Sequence, residues 1–444
     1  MIILGLLLQV LICTILLINE VFFKKCKNFA TVFFLALYFL LFILEPLLLQ
    51  LVFGGAKSIV RDMPLMFEDE MIYHALNVYG ILILSTFSIL SFVKFGNPPI
   101  NKSVNISKVS VNSLGGLLII GYFIFLYSTG MSLEELFVSS RFSWFNESSA
   151  FIVGIAISHY FFSLTPVYLF SYLSVKKSFF VHIIFITSIA LVVVYGVVSQ
   201  DRKWLFYLIS GAIAYLYKKS GNKLVLKGKY FAIGGGLFFI LLISQFLRNY
   251  LARFISGQVS TGFFEELVDW FSFLIEFGDI SYFYRASAET IRQTFNEGII
   301  EPLGVIRRNV LFFLPVGWSG GLKPEDLSAV FSDIVRGGDS VRRGNMPPGF
   351  FGLFVMSFGV SATAVIVCLI PFLVRKLDAL FLSLRGGFSL VFLSSYLSFL
   401  LLLFRGDDSS AFYFLIFGVI VLSVVKYMTN VIGFVLRRQP TISR

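Results

Sequence analysis

The chain has 444 residues, 57% of them hydrophobic and 14% charged, with a formal net charge of +11. A soluble domain of average make-up carries about 25% charge, so composition excludes a soluble enzyme bearing one apolar patch. Apolar residues run along the whole length, which also excludes a single anchor and leaves an all-α, polytopic membrane protein.

A spanning helix takes about 20 largely apolar residues. Eleven segments meet or approach that length: 2–19, 29–53, 71–95, 113–130, 150–174, 179–198, 204–217, 229–247, 350–374, 387–404 and 410–435, the seventh being short. The first has no basic leader and no small-residue cleavage site before Lys24, so it reads as a retained helix. Three parts follow: a bundle of about eight helices over 1–247, a long connection over 248–349 and a bundle of about three helices over 350–444.

The connections alternate in charge. Lys24, Lys25 and Lys27 are followed by an acidic loop with Asp62, Glu68, Asp69 and Glu70, then by Lys94, Lys102 and Lys108, then by Glu134, Glu135 and Glu147. With the first loop in the cytoplasm every later loop agrees, so the N-terminus is expected outside and the C-terminus inside. The cytoplasmic side then carries +18 and the outer side −6, with Glu45 alone assigned to a span. The net charge is a topology signal, and no nucleic-acid partner is called for. The outer side holds 13 Arg and only 3 Lys, whereas the inner side holds 15 Lys and 5 Arg. Surface pairing accounts for that choice; so does an outer face that grips an anion, because Arg offers a rigid fork of donors and Lys does not.

Cys13 and Cys368 fall in spans and Cys26 on the inner side, so no disulfide is expected outside. The three histidines, His74, His159 and His182, are too scattered for a usual ligand set, and no metal or cofactor is expected. Glu45, followed by Pro46, is an intramembrane carboxylate and a functional candidate on that ground.

The connection 248–349 is far longer than an ordinary loop. Within it 261–277 (TGFFEELVDWFSFLIEF) suits a helix at the bilayer interface. Over 282–296, Arg285, Glu289 and Arg292 share a helix face, as an ion-pair ladder or as a ligand site. Residues 299–318 are apolar but too interrupted by Pro302, Arg307, Arg308 and Pro315 to span. The Gly-rich turn 336–349 then brings Arg336, Arg342 and Arg343 to the start of the ninth span; Gly lets backbone amides approach an anion, and the Arg forks supply charge, although a solvated connector would look the same. Arg202, between spans six and seven, and Arg405, between spans ten and eleven, each lie beside an Asp in a short outer loop. They read as snorkelling cations or as walls of a polar cavity.

This pattern resembles the O-antigen polymerase (Wzy-type) family of oligosaccharide repeat-unit polymerases of bacterial inner membranes. The local similarities are Ser199-Gln-Asp-Arg-Lys-Trp-Leu205, Met346-Pro-Pro-Gly-Phe-Phe-Gly-Leu-Phe354 with Phe358-Gly359, and Leu403-Phe-Arg-Gly-Asp407. The resemblance implies a glycosyltransferase-C-like fold, an undecaprenyl-diphosphate-linked oligosaccharide as donor, a second lipid-linked unit as acceptor, and membrane lipids and a chain-length regulator as further partners. It implies that an acceptor hydroxyl attacks the anomeric carbon while the lipid diphosphate departs, so positioned Arg side chains would stabilise the developing charge. The candidates are Arg202, Arg248, Arg285, Arg342, Arg343 and Arg405. Asp279, Glu276 and Asp407 are the candidate proton acceptors, since no His lies in the long segment. A lipid-linked oligosaccharide flippase and an O-antigen ligase stand as alternatives.

Overall fold

The computed structural model describes residues 2–24, 26–44, 46–47, 59–60, 63–64, 70–93, 108–130, 149–198, 203–224, 246, 250, 262–268, 282–311, 319–323, 326–336, 347–383, 386–406 and 416–427. These residues are almost wholly helical; a two-residue antiparallel ladder pairs Ile59–Val60 with Met63–Pro64. Among the described residues, five helices are long and apolar enough to cross a membrane: Ile3–Phe23, Met71–Phe92, Val111–Thr129, Phe179–Gly196 and Gly349–Ser383. Shorter apolar helices cover Phe29–Leu44, Leu390–Arg405 and Ile416–Tyr427. The expected eighth span, 229–247, lies outside the described residues except for Phe246.

The first helix shows how such segments pack. Leu6, Gln9, Cys13 and Leu16 recur at helical spacing and are buried, while Leu4, Leu7, Leu11 and Ile15 on the other side are exposed. A helix apolar all round, with one side uncovered, is what lipid contact requires. Its polar exception, Gln9, accepts from the Tyr38 hydroxyl at 2.8 Å and donates to Asn77 Oδ1 at 2.8 Å, so three helices are pinned by a buried hydrogen-bonded chain.

Two apolar cores result. The larger gathers the helices at 2–18, 29–44, 70–92, 203–219, 282–297, 349–383 and 386–405; the smaller gathers 108–129, 149–174, 179–198 and 416–427. The centre of the larger is an aromatic stack in which Phe34, Tyr38, Phe42, Phe350, Phe351 and Phe404 meet ring to ring.

Two expected spans are broken. The fifth, 150–174, is two helices, Ser149–Phe162 and Thr165–Ser174, parted at Ser163 and Leu164. Pro166 sits in the first turn of the second, where its missing N–H costs nothing and its ring blocks continuation from the preceding turn. The ninth runs from Gly349 to Ser383, past its expected end at residue 374, but Gly359 interrupts it with φ 80° and ψ 170°.

The break at Gly359 is sharp. A straight helix from Gly349 to Asp378 would be about 44 Å long at a rise of about 1.5 Å per residue. Yet Gly349 touches Gly406, ten residues beyond Tyr396, whose hydroxyl donates to the Ala30 carbonyl beside Asp378. Ten helical residues cover only about 15 Å. Residues 349–358 therefore turn across the bundle as a half-helix, and 360–383 form the long helix.

Two acids expected in loops are buried. Glu20 and Asp378, placed by their sequence neighbours in basic cytoplasmic turns, stand inside the helix bundle around Arg375. Glu20 accepts from Arg375 at 2.6 Å, Asn28 at 2.6 Å and Lys24 at 2.9 Å. Asp378 accepts from the Ala30 and Thr31 amides and the Thr31 hydroxyl, and its second oxygen lies 3.9 Å from Arg375. Glu45 is the only acid that the sequence places within a span, but Glu20 and Asp378 lie within Ile3–Phe23 and Gly349–Ser383, two of the helices long and apolar enough to cross a membrane, the second continuing beyond its last apolar run. Glu45 itself lies outside the described residues.

Candidate functional site

The elements that carry the described candidates Arg285 and Arg405 meet at Gly349, the first residue of the half-helix. The Tyr282–Glu297 helix, close to its expected bounds, lies beside residues 349–358 and runs in the same direction. Phe283 and Ser287 meet Gly349, Thr290 meets Gly352, and Ile299, just past the helix end, meets Gly359. Small residues allow that approach: a Cβ on Gly352 would stand 2.7 Å from Thr290 Oγ1, and one on Gly349 would collide with the Phe283 carbonyl. Ser287 Oγ donates to the Phe283 carbonyl at 3.0 Å and accepts from the Gly352 amide at 3.4 Å.

The third element is the Gly386–Arg405 helix. It ends at Gly406, whose amide donates to the Leu403 carbonyl and whose φ of 85° is the left-handed closure that favours glycine. A Cβ there would stand 2.5 Å from the Gly349 nitrogen, so the end of one helix and the start of the other are in backbone contact. Behind this junction Phe404 and Phe350 fill the aromatic core at a centroid separation of 4.9 Å.

Arg285 and Arg405 are carried by the two elements that meet at this junction. Arg285 lies between Phe283 and Ser287 on the first element and is 2% exposed; Arg405 is the residue before Gly406 and is half-buried. The start of a helix carries partial positive charge from unpaired N–H groups. The chemistry available at such a junction is the holding of an anion by backbone amides and Arg forks.

The predicted face of Arg285, Glu289 and Arg292 divides. Arg292 makes a two-pronged pair with Glu289, at 2.9 and 2.6 Å, and Gln293 also donates to Glu289 at 2.9 Å. That part is a structural ladder. Arg285 is turned inward instead, beside Tyr284, which stacks on Tyr73 at 6.0 Å.

Of the other candidates, Arg202, Arg248, Arg342, Arg343, Glu276, Asp279 and Asp407 lie outside the described residues. Residues that the sequence treated merely as interruptions have partners: Arg307 pairs with Glu301, and Arg308 lies 3.6 Å from Asp326. His159 meets the Tyr195 hydroxyl at 3.1 Å, as a packed histidine would. An apolar groove of about 520 Å³ opens in the smaller core between Leu117, Ile157, Phe161, Phe417 and Val424. None of its described lining residues is charged, and none belongs to the Gly349 junction.

No family model, curated protein or solved structure matches the chain.

Proposed function

We propose that the chain is an oligosaccharide repeat-unit polymerase of the O-antigen, capsule or exopolysaccharide kind, acting on lipid-diphosphate-linked substrates at the outer face of a bacterial inner membrane. In this reading about eleven spans adopt a glycosyltransferase-C-like arrangement, with the N-terminus outside and the C-terminus in the cytoplasm. The Gly349 junction faces outward and holds the diphosphate of the donor lipid. Arg285 and Arg405 stabilise the charge that develops as the diphosphate leaves the anomeric carbon, joined by Arg202, Arg248, Arg342 and Arg343. Asp279, Glu276 or Asp407 takes the acceptor proton. No metal or cofactor is required.

The observation that carries the reading is the meeting of two Arg-bearing elements, distant in sequence, at the amide end of a half-helix. The buried Glu20, Arg375 and Asp378 do not favour the transporter alternative. Both carboxylates are held in place, Glu20 by Arg375, Lys24 and Asn28 and Asp378 by the first amides of helix 29–38 and the Thr31 hydroxyl, as in a clamp.

The test is chain extension in the host strain carrying Arg285→Lys or Arg405→Ala. Protein levels are expected to hold while long-chain glycan is lost and single repeat units accumulate on the lipid carrier. Arg285→Lys keeps the buried charge and removes the fork, which separates anion recognition from folding. Long-chain glycan at normal levels in both strains would refute the reading.

A further inference from the structure

We infer that residues 299–310 dip into the bilayer and that Leu303, Ile306 and Val310 contact lipid acyl chains. The segment is built inside out for a water-facing loop. Arg308 is 7% exposed and turned toward Asp326, whereas Val310 is 72% and Ile306 49% exposed. In water the sorting would be the reverse, because burying a charge costs far more than burying a methyl group gains. Pro302 and Leu303 are also exposed, so the uncovered residues of 299–310 are all apolar; Arg307 pairs with Glu301 at the side.

The segment is fastened to the break in the long helix. At Gly359 the helical hydrogen bonds stop, and the carbonyls of Met356 and Ser357 accept instead from the amides of Glu301 and Leu303, at 3.0 and 2.8 Å. Ser357 Oγ accepts from the Val305 amide at 3.1 Å, and Ile299 lies against Gly359. The depth of residues 299–310 is thus tied to the depth of Gly359.

Two observations put that depth within lipid. Val365, Leu369, Phe372 and Leu373 form an exposed apolar stripe on the long helix, and the bonds from Glu301 and Leu303 to Met356 and Ser357 hold the segment at the Gly359 end of that helix. The stripe ends at exposed Lys376, whose ammonium lies over the Phe372 ring at 5.2 Å, as a cation at a water boundary does. From Lys376 to Gly359 the helix rises about 26 Å, and tilt only shortens that, whereas the hydrocarbon layer is about 30 Å thick. The apolar layer therefore extends past Gly359, to the place where Leu303, Ile306 and Val310 are uncovered. The lipid contact holds whatever reaction the chain carries out.

The test uses the full-length chain carrying Cys368→Ala, reconstituted in vesicles of phosphatidylethanolamine and phosphatidylglycerol. Ile306→Cys, Val310→Cys and, for comparison, Asn296→Cys are each labelled with bimane, and the Cys368→Ala chain serves as the blank. Quenching by nitroxide-labelled lipid is expected to be severalfold stronger at 306 and 310 than at 296, with the opposite order for aqueous iodide. Iodide quenching at 306 and 310 equal to that at 296 would place the segment in water and overturn the inference. Protection from both quenchers would overturn it too, by showing that a second copy or another protein covers the face.

Discussion

Asp378 caps a helix that its own leading residue leaves uncapped. Asn28 stands at the N-cap of the 29–38 helix, where asparagine is favoured, but its amide donates to Glu20 and makes no capping bond. Asp378 takes over from another helix, accepting the Ala30 and Thr31 amides, with its negative charge at the positive end of the helix. Asp378→Ala leaves those amides unsatisfied and Arg375 with only Glu20 for company, so a loss of about 3–5 kcal/mol is expected. Thr31→Val, which removes one bond to the carboxylate, should cost about 1.5–3 kcal/mol. Unfolding in detergent measures both; a Thr31→Val loss equal to that of Asp378→Ala would show that the carboxylate does no more than hold one hydroxyl. This cluster was not legible beforehand. Glu20 and Arg375 are 355 residues apart, and each sits among lysines or arginines that read as loop charges. Arg285 and Arg405 were legible as candidates because charge is rare beside apolar runs; the meeting of their two helices at Gly349 was not, since it depends on a backbone contact between two glycines.

At the scale of an element, the apolar runs were legible because lipid demands them, and so was the fifth helix's break in hindsight, through Pro166. Gly359 gave no such notice: glycine is common in membrane helices and usually continues them. What breaks the helix is a pair of conditions, a residue that tolerates φ 80° and a nearby chain, 301–305, that takes the released carbonyls. Gly359→Ala should cost about 1–3 kcal/mol, the strain of a side chain in that backbone region. Ser357→Ala, which removes only the acceptor for the Val305 amide, should cost about 1 kcal/mol. Both are expected to lower chain extension, because Gly359 sets where the half-helix ends and how it turns, and hence where Gly349 meets Gly406. A Gly359→Ala protein that unfolds and extends chains like the parent would mean that the half-helix does not position the site.

At the scale of the whole molecule, the described residues form two cores, and the seam between them is where helix 165–174 lies against helix 203–219. Phe170 belongs to the larger core, while Val167, Tyr168 and Tyr172 of the same helix belong to the smaller. The seam closes because Gly211 has no side chain: a Cβ there would stand 2.5 Å from the Pro166 carbonyl oxygen and 3.0 Å from Leu169 Cβ. Backbone cannot swing aside as a long side chain can, so Gly211→Ala must push the helices apart, at an overpacking cost of about 1–3 kcal/mol. Gly116, in the helix 108–129, offers the contrast, since nothing lies within 4 Å of the position its Cβ would take. There the helical preference of alanine over glycine acts unopposed, and Gly116→Ala should stabilise by roughly 0.8–1 kcal/mol. Two identical chemical changes are thus expected to shift the unfolding midpoint in detergent in opposite directions. A stabilised Gly211→Ala protein would mean that the cores are not in contact along this line, and that the molecule holds together elsewhere.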